Sequence, residues 1–170
     1  MPSQLSRLAQ LKSLDLEFQG HMGIFNSLHL DWMQGLTNLH HLSLRFGEDI
    51  PWVSIDDHFT SLSQLRTLSV HMRDDPKPHL MLSVQWQHMH ALESISLRGQ
   101  GLFWPAFLGL TELTWLHTLD LTYCKPGAMV SAMYLGAVLQ HFAKQWHRVT
   151  CSLCYDANDV LEEIKKRSCQ

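Results

Sequence analysis

Leu65-Arg-Thr-Leu68-Ser-Val70 carries apolar side chains at its first, fourth and sixth positions and polar ones between them. The same spacing recurs as Leu11-Lys-Ser-Leu14-Asp-Leu16, Leu39-His-His-Leu42-Ser-Leu44, Leu92-Glu-Ser-Ile95-Ser-Leu97 and Leu116-His-Thr-Leu119-Asp-Leu121. A degenerate sixth copy reads Trp146-His-Arg-Val149-Thr-Cys151. The copies start 28, 26, 27, 24 and 30 residues apart. Three positions before each of the first five stands another apolar residue: Leu8, Leu36, Leu62, Met89 and Leu113. Alternation of apolar positions 4 and 6 with polar 3, 5 and 7 is the period of a strand with one buried face. Each unit then has about twenty residues left for a turn and a return segment, too few to bury its own apolar face, so neighbouring units must stack. Parallel stacking sets adjacent strands roughly 4.8 Å apart. The expected fold class is α/β: a curved parallel sheet on the concave side of a solenoid, with helical or irregular return segments on the convex side.

The pattern resembles the leucine-rich-repeat family, whose unit is L-x-x-L-x-L-x-x-N/C-x-L, over about residues 5 to 154. The ninth position is Gln19, Gly47, Arg73, Gln100, Cys124 and Cys154, and the eleventh is apolar only at Leu102. The asparagine ladder of regular members is therefore missing from the first four copies, which predicts less regular backbone after those strands. The resemblance implies a single domain over 1–170 with about six repeats, serving as an interaction scaffold.

The segments between strands differ in kind. Residues 130–145 predict a helix, with Val130, Met133, Tyr134, Val138, Leu139 and Phe142 at three-and-four spacing. Residues 103–113 predict a shorter one, with Pro105 in its first turn. Ile50-Pro51-Trp52 and Asp74-Asp-Pro-Lys-Pro78 read as loops, and Gly99-Gln-Gly101 as a turn between repeats. Residues 156–170 predict a closing helix and tail: Asp156 or Asn158 caps Val160, Leu161 and Ile164, and Lys165, Lys166 and Arg167 suit the negative end of the helix dipole. At the other end Leu5 and Leu8 offer one apolar turn, so the first strand is thinly covered. Tryptophan and phenylalanine on the return segments read as core fillers.

Composition narrows the function classes. Of 170 residues, 45% are hydrophobic and 17% charged, which excludes disorder and a coiled coil. Thirteen Lys and Arg stand against 16 Asp and Glu, a net charge of −3, so nothing draws the whole chain to nucleic acid. No apolar run of 18 residues occurs and no secretory core precedes Leu16, so neither a membrane span nor export is expected. Asn26, Asn38 and Asn158 all lack the glycosylation context. Four cysteines do not make a disulfide framework. These features point to an intracellular, cytoplasmic protein.

No P-loop, G-x-G-x-x-G, G-x-S-x-G or H-E-x-x-H occurs. Cys151-Ser-Leu-Cys154 reads as a redox pair or half a zinc site on spacing alone, but the repeat places Cys151 at buried position 6 and Cys154, like Cys124, at position 9. His40-His41 point to opposite faces of a strand, and His88 and His90 fall on a return segment, so neither pair converges on a metal. No catalytic residue, cofactor or metal is expected.

The face carrying positions 3, 5 and 7 is the informative one. Position 3 reads Ser13, His41, Thr67, Ser94, Thr118 and Arg148; position 5 reads Asp15, Ser43, Ser69, Ser96, Asp120 and Thr150; position 7 reads Glu17, Arg45, His71, Arg98, Thr122 and Ser152. Arg45, His71 and Arg98 thus form a row over small hydroxyls, flanked by Asp15 and Glu17 on one side and Asp120 on the other. Position 8 adds Phe18, Phe46, Met72 and Tyr123, expected along one rim. The expected partner-binding residues are Arg45, His71, Arg98, Phe46, Met72, Tyr123 and Asp120. A basic row beside an aromatic rim suits a peptide or protein with acidic and apolar side chains. The expected function is non-catalytic protein binding on the concave face. The alternatives are the substrate-recognition part of a ubiquitin ligase, a role many leucine-rich-repeat proteins fill beside an F-box, and, ranked well below both, a metal-dependent enzyme.

Overall fold

The computed structural model of the chain describes residues 8–19, 31–47, 52–55, 57–72, 79–82, 86–102, 109–121, 124–126, 141 and 150–153. In chain order the strands are β1 (Ser13–Phe18), β2 (His41–Phe46), β3 (Trp52–Ile55), β4 (Thr67–Met72), β5 (His79–Leu82), β6 (Ser94–Leu102), β7 (Thr118–Leu121), β8 (Cys124–Pro126) and β9 (Thr150–Leu153). One parallel sheet runs β1-β2-β4-β6-β7-β9, with β8 beside the end of β6. Helix is scarce among the described residues. Short 3-10 turns at Asp31–Gly35, Asp57–Ser61, Trp86–His88 and Gly109–Glu112 take its place.

The first five copies align position for position. Leu14, Leu42, Leu68, Ile95 and Leu119 stand in one column and Leu16, Leu44, Val70 and Leu97 in another. From Leu42 onward every one of these is buried. The carbonyls of Lys12, His40, Arg66 and Glu93, each at position 2, accept two N–H groups from positions 2 and 3 of the following copy. That recurring double acceptor locks the register at the start of each strand.

A second periodicity feeds each strand. Before it, i→i−3 backbone bonds run Leu36 to Met33 and Leu39 to Leu36, Leu62 to Phe59 and Leu65 to Leu62, Met89 to Trp86 and Leu92 to Met89, Leu113 to Leu110 and Leu116 to Leu113. A three-residue turn eclipses side chains three apart. Apolar residues at −6, −3 and 1 therefore face one way, and all twelve named here are buried. Trp86 and Phe59 are the largest fully enclosed side chains. In the first copy Leu8 is 45% exposed, and Leu11, Leu14 and Leu16 are only half-buried, as the thin cover predicts.

Several expectations need correction. Phe46 and Met72 do not line a rim; they are buried, at 3% and 4% exposure. Position 8 has the parity of positions 4 and 6, so a strand of period two turns it into the core. Phe18, half-buried, stacks on Phe46 with ring centroids 5.1 Å apart. The sixth copy pairs as Thr118 with Thr150, Leu119 with Cys151, Asp120 with Ser152 and Leu121 with Leu153. Cys151 therefore stands at position 4 rather than 6, and the copy starts two residues later than its leucine-poor sequence suggests. Arg148 accordingly leaves column 3 to Thr150, and Ser152 takes column 5.

The regions after the strands also differ from expectation. Trp52 starts a strand, not a loop: β3 pairs in parallel with β5, Trp52 beside His79. Gly99-Gln-Gly101 is not a turn but part of β6, where Gly99 and Gln100 pair with Cys124 and Lys125. The ladder slips between Gln100 and Leu102. At Gly47 the N–H donates to Phe18 O at 2.9 Å, and a Cβ there would stand 3.2 Å from the same oxygen. A side chain at this position would be crowded against that carbonyl. Of the expected helix at 130–145 only His141 is described, and it is helical. In 103–113 the described part is a 3-10 turn. The capping segment 156–170, Ile50-Pro51, Asp74–Pro78, Tyr123 and Cys154 lie outside the described residues.

Candidate functional site

The in-register strands bring Glu17, Arg45, His71 and Arg98 into one row, and Asp15, Ser43, Ser69, Ser96 and Asp120 into the row beside it. None of these side chains is buried. The expected basic row is therefore present on an open sheet face.

Its charges are arranged in a way the columns alone do not reveal. Arg45 on β2 reaches back to Asp15 on β1, with Nη2 2.9 Å from the carboxylate. Arg98 on β6 reaches forward to Asp120 on β7 at 3.2 Å. Each ion pair is a diagonal from position 7 to position 5, and the two lean away from β4, where His71 stands between them. Ser96 Oγ donates to the same Asp120 oxygen at 3.1 Å. Asp120 is thus less a flanking charge than the anchor that orients Arg98. On the far side, Gln19 donates to Glu17 at 2.6 Å.

His71 Nε2 lies 3.0 Å from Ser69 Oγ on its own strand. Its pKa is held below the ordinary 6.5, first by partial burial, then by the positive charges of Arg98 and Arg45; Asp120 and Asp15 oppose this with smaller effect. The imidazole is therefore predominantly neutral at pH 7, and the two arginines act on it more strongly than their carboxylate partners do. The carboxylates lie beyond the guanidiniums, so each is screened from the centre by distance.

The rim at the strand starts carries other polar groups. His41 Nδ1 lies 3.2 Å from Thr67 Oγ1, and His40 Nδ1 lies 2.7 Å from Asn38 O; their rings are 6.5 Å apart. Arg66 pairs with Glu93 at 3.2 Å. His88 and His90 are exposed. Trp115 is 61% exposed on this rim. It precedes the inward Leu116 directly, and the three-residue turn leaves that position facing outward. Among the described residues no three His, Cys, Asp or Glu side chains are grouped to hold a metal. No helix among them is long and apolar enough to cross a membrane.

Against protein-family models, curated proteins and solved structures, the chain shows no match.

Proposed function

We propose that this chain is a leucine-rich-repeat-like module that binds a peptide or protein segment on the open face of its sheet, without catalysis. One observation carries the reading. Parallel sheets are normally covered on both faces. Here positions 4, 6 and 8 of β2 and β4, positions 4 and 6 of β6 and position 4 of β7 are buried, while no described side chain at positions 3, 5 and 7 of β1, β2, β4, β6 and the start of β7 is buried. A parallel sheet with one uncovered face, lined by small hydroxyls and two held arginines, is a surface kept for a partner. Curvature of the stack would make this face concave.

An extended acidic segment suits the surface. The Arg45–Asp15 pair is exposed and therefore weak in water, so Arg45 exchanges Asp15 for a partner's acid at little cost, whereas the part-buried Arg98–Asp120 pair holds Arg98 more firmly. The lack of a disulfide pattern among four cysteines fits an intracellular setting. The test is retention of the purified chain on an immobilised degenerate acidic peptide library. Arg45→Glu with Arg98→Glu should abolish retention, because like charges then face the ligand. Retention equal to wild type would remove the open face from the binding site.

A further inference from the structure

We propose that the centre of the open face, over His71, seats a phosphorylated side chain of the partner peptide. This rests on the open face being the interaction surface, and it specifies what that surface reads. The geometry is a mirror arrangement about β4. Arg45 and Arg98 flank His71 in one row, two strands apart, and each is held by a carboxylate on its outer side. No carboxylate of the two rows stands on β2, β4 or β6, which carry Ser43, Ser69 and Ser96 in the row beside the basic one. An anion at the centre therefore has hydroxyls next to it and one guanidinium on each side to draw in, each turning from the carboxylate on its outer side.

The two arginine backbones lie roughly 10 Å apart, two strand spacings. A planar carboxylate offers two oxygens and one charge, and is satisfied by one guanidinium. A phosphate ester carries up to two charges and three terminal oxygens, so it accepts from both arginines and from a serine hydroxyl together. Asp15 and Asp120 then act as holders. They keep each guanidinium extended when the seat is empty, and release it to an anion of higher charge. At His71 the arginines lower the pKa more than the aspartates raise it, which is consistent with such a seat.

The experiment uses the full chain and three resins bearing one degenerate peptide library with phosphoserine, glutamate or serine at its centre. Wild type should be retained at least tenfold more on phosphoserine than on either other resin, and free inorganic phosphate should elute it. Arg45→Gln with Arg98→Gln should bring retention on phosphoserine down to the serine level, with the melting curve confirming a folded chain. Equal retention on all three resins, lost in the double variant, would overturn the phosphate seat and leave the interaction surface standing. Retention that the double variant keeps would overturn both.

Discussion

Leu68→Ala, set against Ser69→Ala, tests the register on which every assignment here depends. Leu68 has 0% exposure at the centre of the sheet, paired with Leu42 on one side and Ile95 on the other. It packs in the apolar layer that Leu65, Val70 and Phe59 also enter, each at most 1% exposed. Removing its side chain beyond Cβ costs the transfer energy of the lost atoms and leaves a cavity, together about 2–5 kcal/mol. For a chain of this size 1 kcal/mol moves Tm by about 2–4 °C, so the variant should melt about 4–20 °C lower. Ser69 points to the open face, and its alanine variant loses the contact with His71, at most about 1 kcal/mol. Leu68→Asp should not fold, because an unpaired buried carboxylate costs several kcal/mol out of a stability of about 5–15 kcal/mol. Thermal melts followed by circular dichroism give the comparison directly. A Ser69→Ala variant as damaged as Leu68→Ala, or a Leu68→Asp variant that melted like wild type, would refute the register. A slip of one residue exchanges the two faces.

Phe46→Ala and Met72→Ala should each destabilise by about 2–5 kcal/mol in chemical denaturation, as core truncations do, and should leave peptide retention unchanged at temperatures where the chain is folded. Stability should fall as pH drops below 6.5: His71 has a lowered pKa when folded, so the unfolded chain takes up the proton first, and the loss ends once pH passes the folded value. His71→Asn should flatten that part of the melting-temperature profile, and an unchanged slope would assign it elsewhere. Thiol titration in denaturant without reductant should find all four cysteines free; a persistent Cys151–Cys154 bridge would contradict the packing role given to Cys151.

The columns at positions 1, 4 and 6 were legible because leucine at fixed spacing has one physical reading in a stacked strand. The inward turn of Phe46 and Met72 followed from the same period of two, and large side chains at a strand end only suggested a rim. Met33, Phe59, Trp86 and Leu110 sit at a three-residue step before the strand, a shorter period than that of the α-helix by which return segments are usually read. The sixth copy lacks the leucines that set phase, so its start shifted by two while inward and outward parity survived. The paired strands β3 and β5 are four residues each and begin beside prolines or histidine, too short to show alternation. At the site, the row Arg45-His71-Arg98 was legible from spacing. The ion pairs were not, because they cross between strands on a diagonal that depends on side-chain reach.

Site-specific photocrosslinking tests the central claim most directly. A photoreactive residue at Ser43, in the row beside Arg45, samples the open face, and one at exposed Ser63 samples the turn before β4. With the degenerate acidic peptide library as ligand, crosslinks should form from position 43, be lost when Arg45 and Arg98 are both glutamate, and be absent from position 63. Crosslinks from position 63 that persist in the double variant, with none from position 43, would contradict an interaction surface on the open face of the sheet.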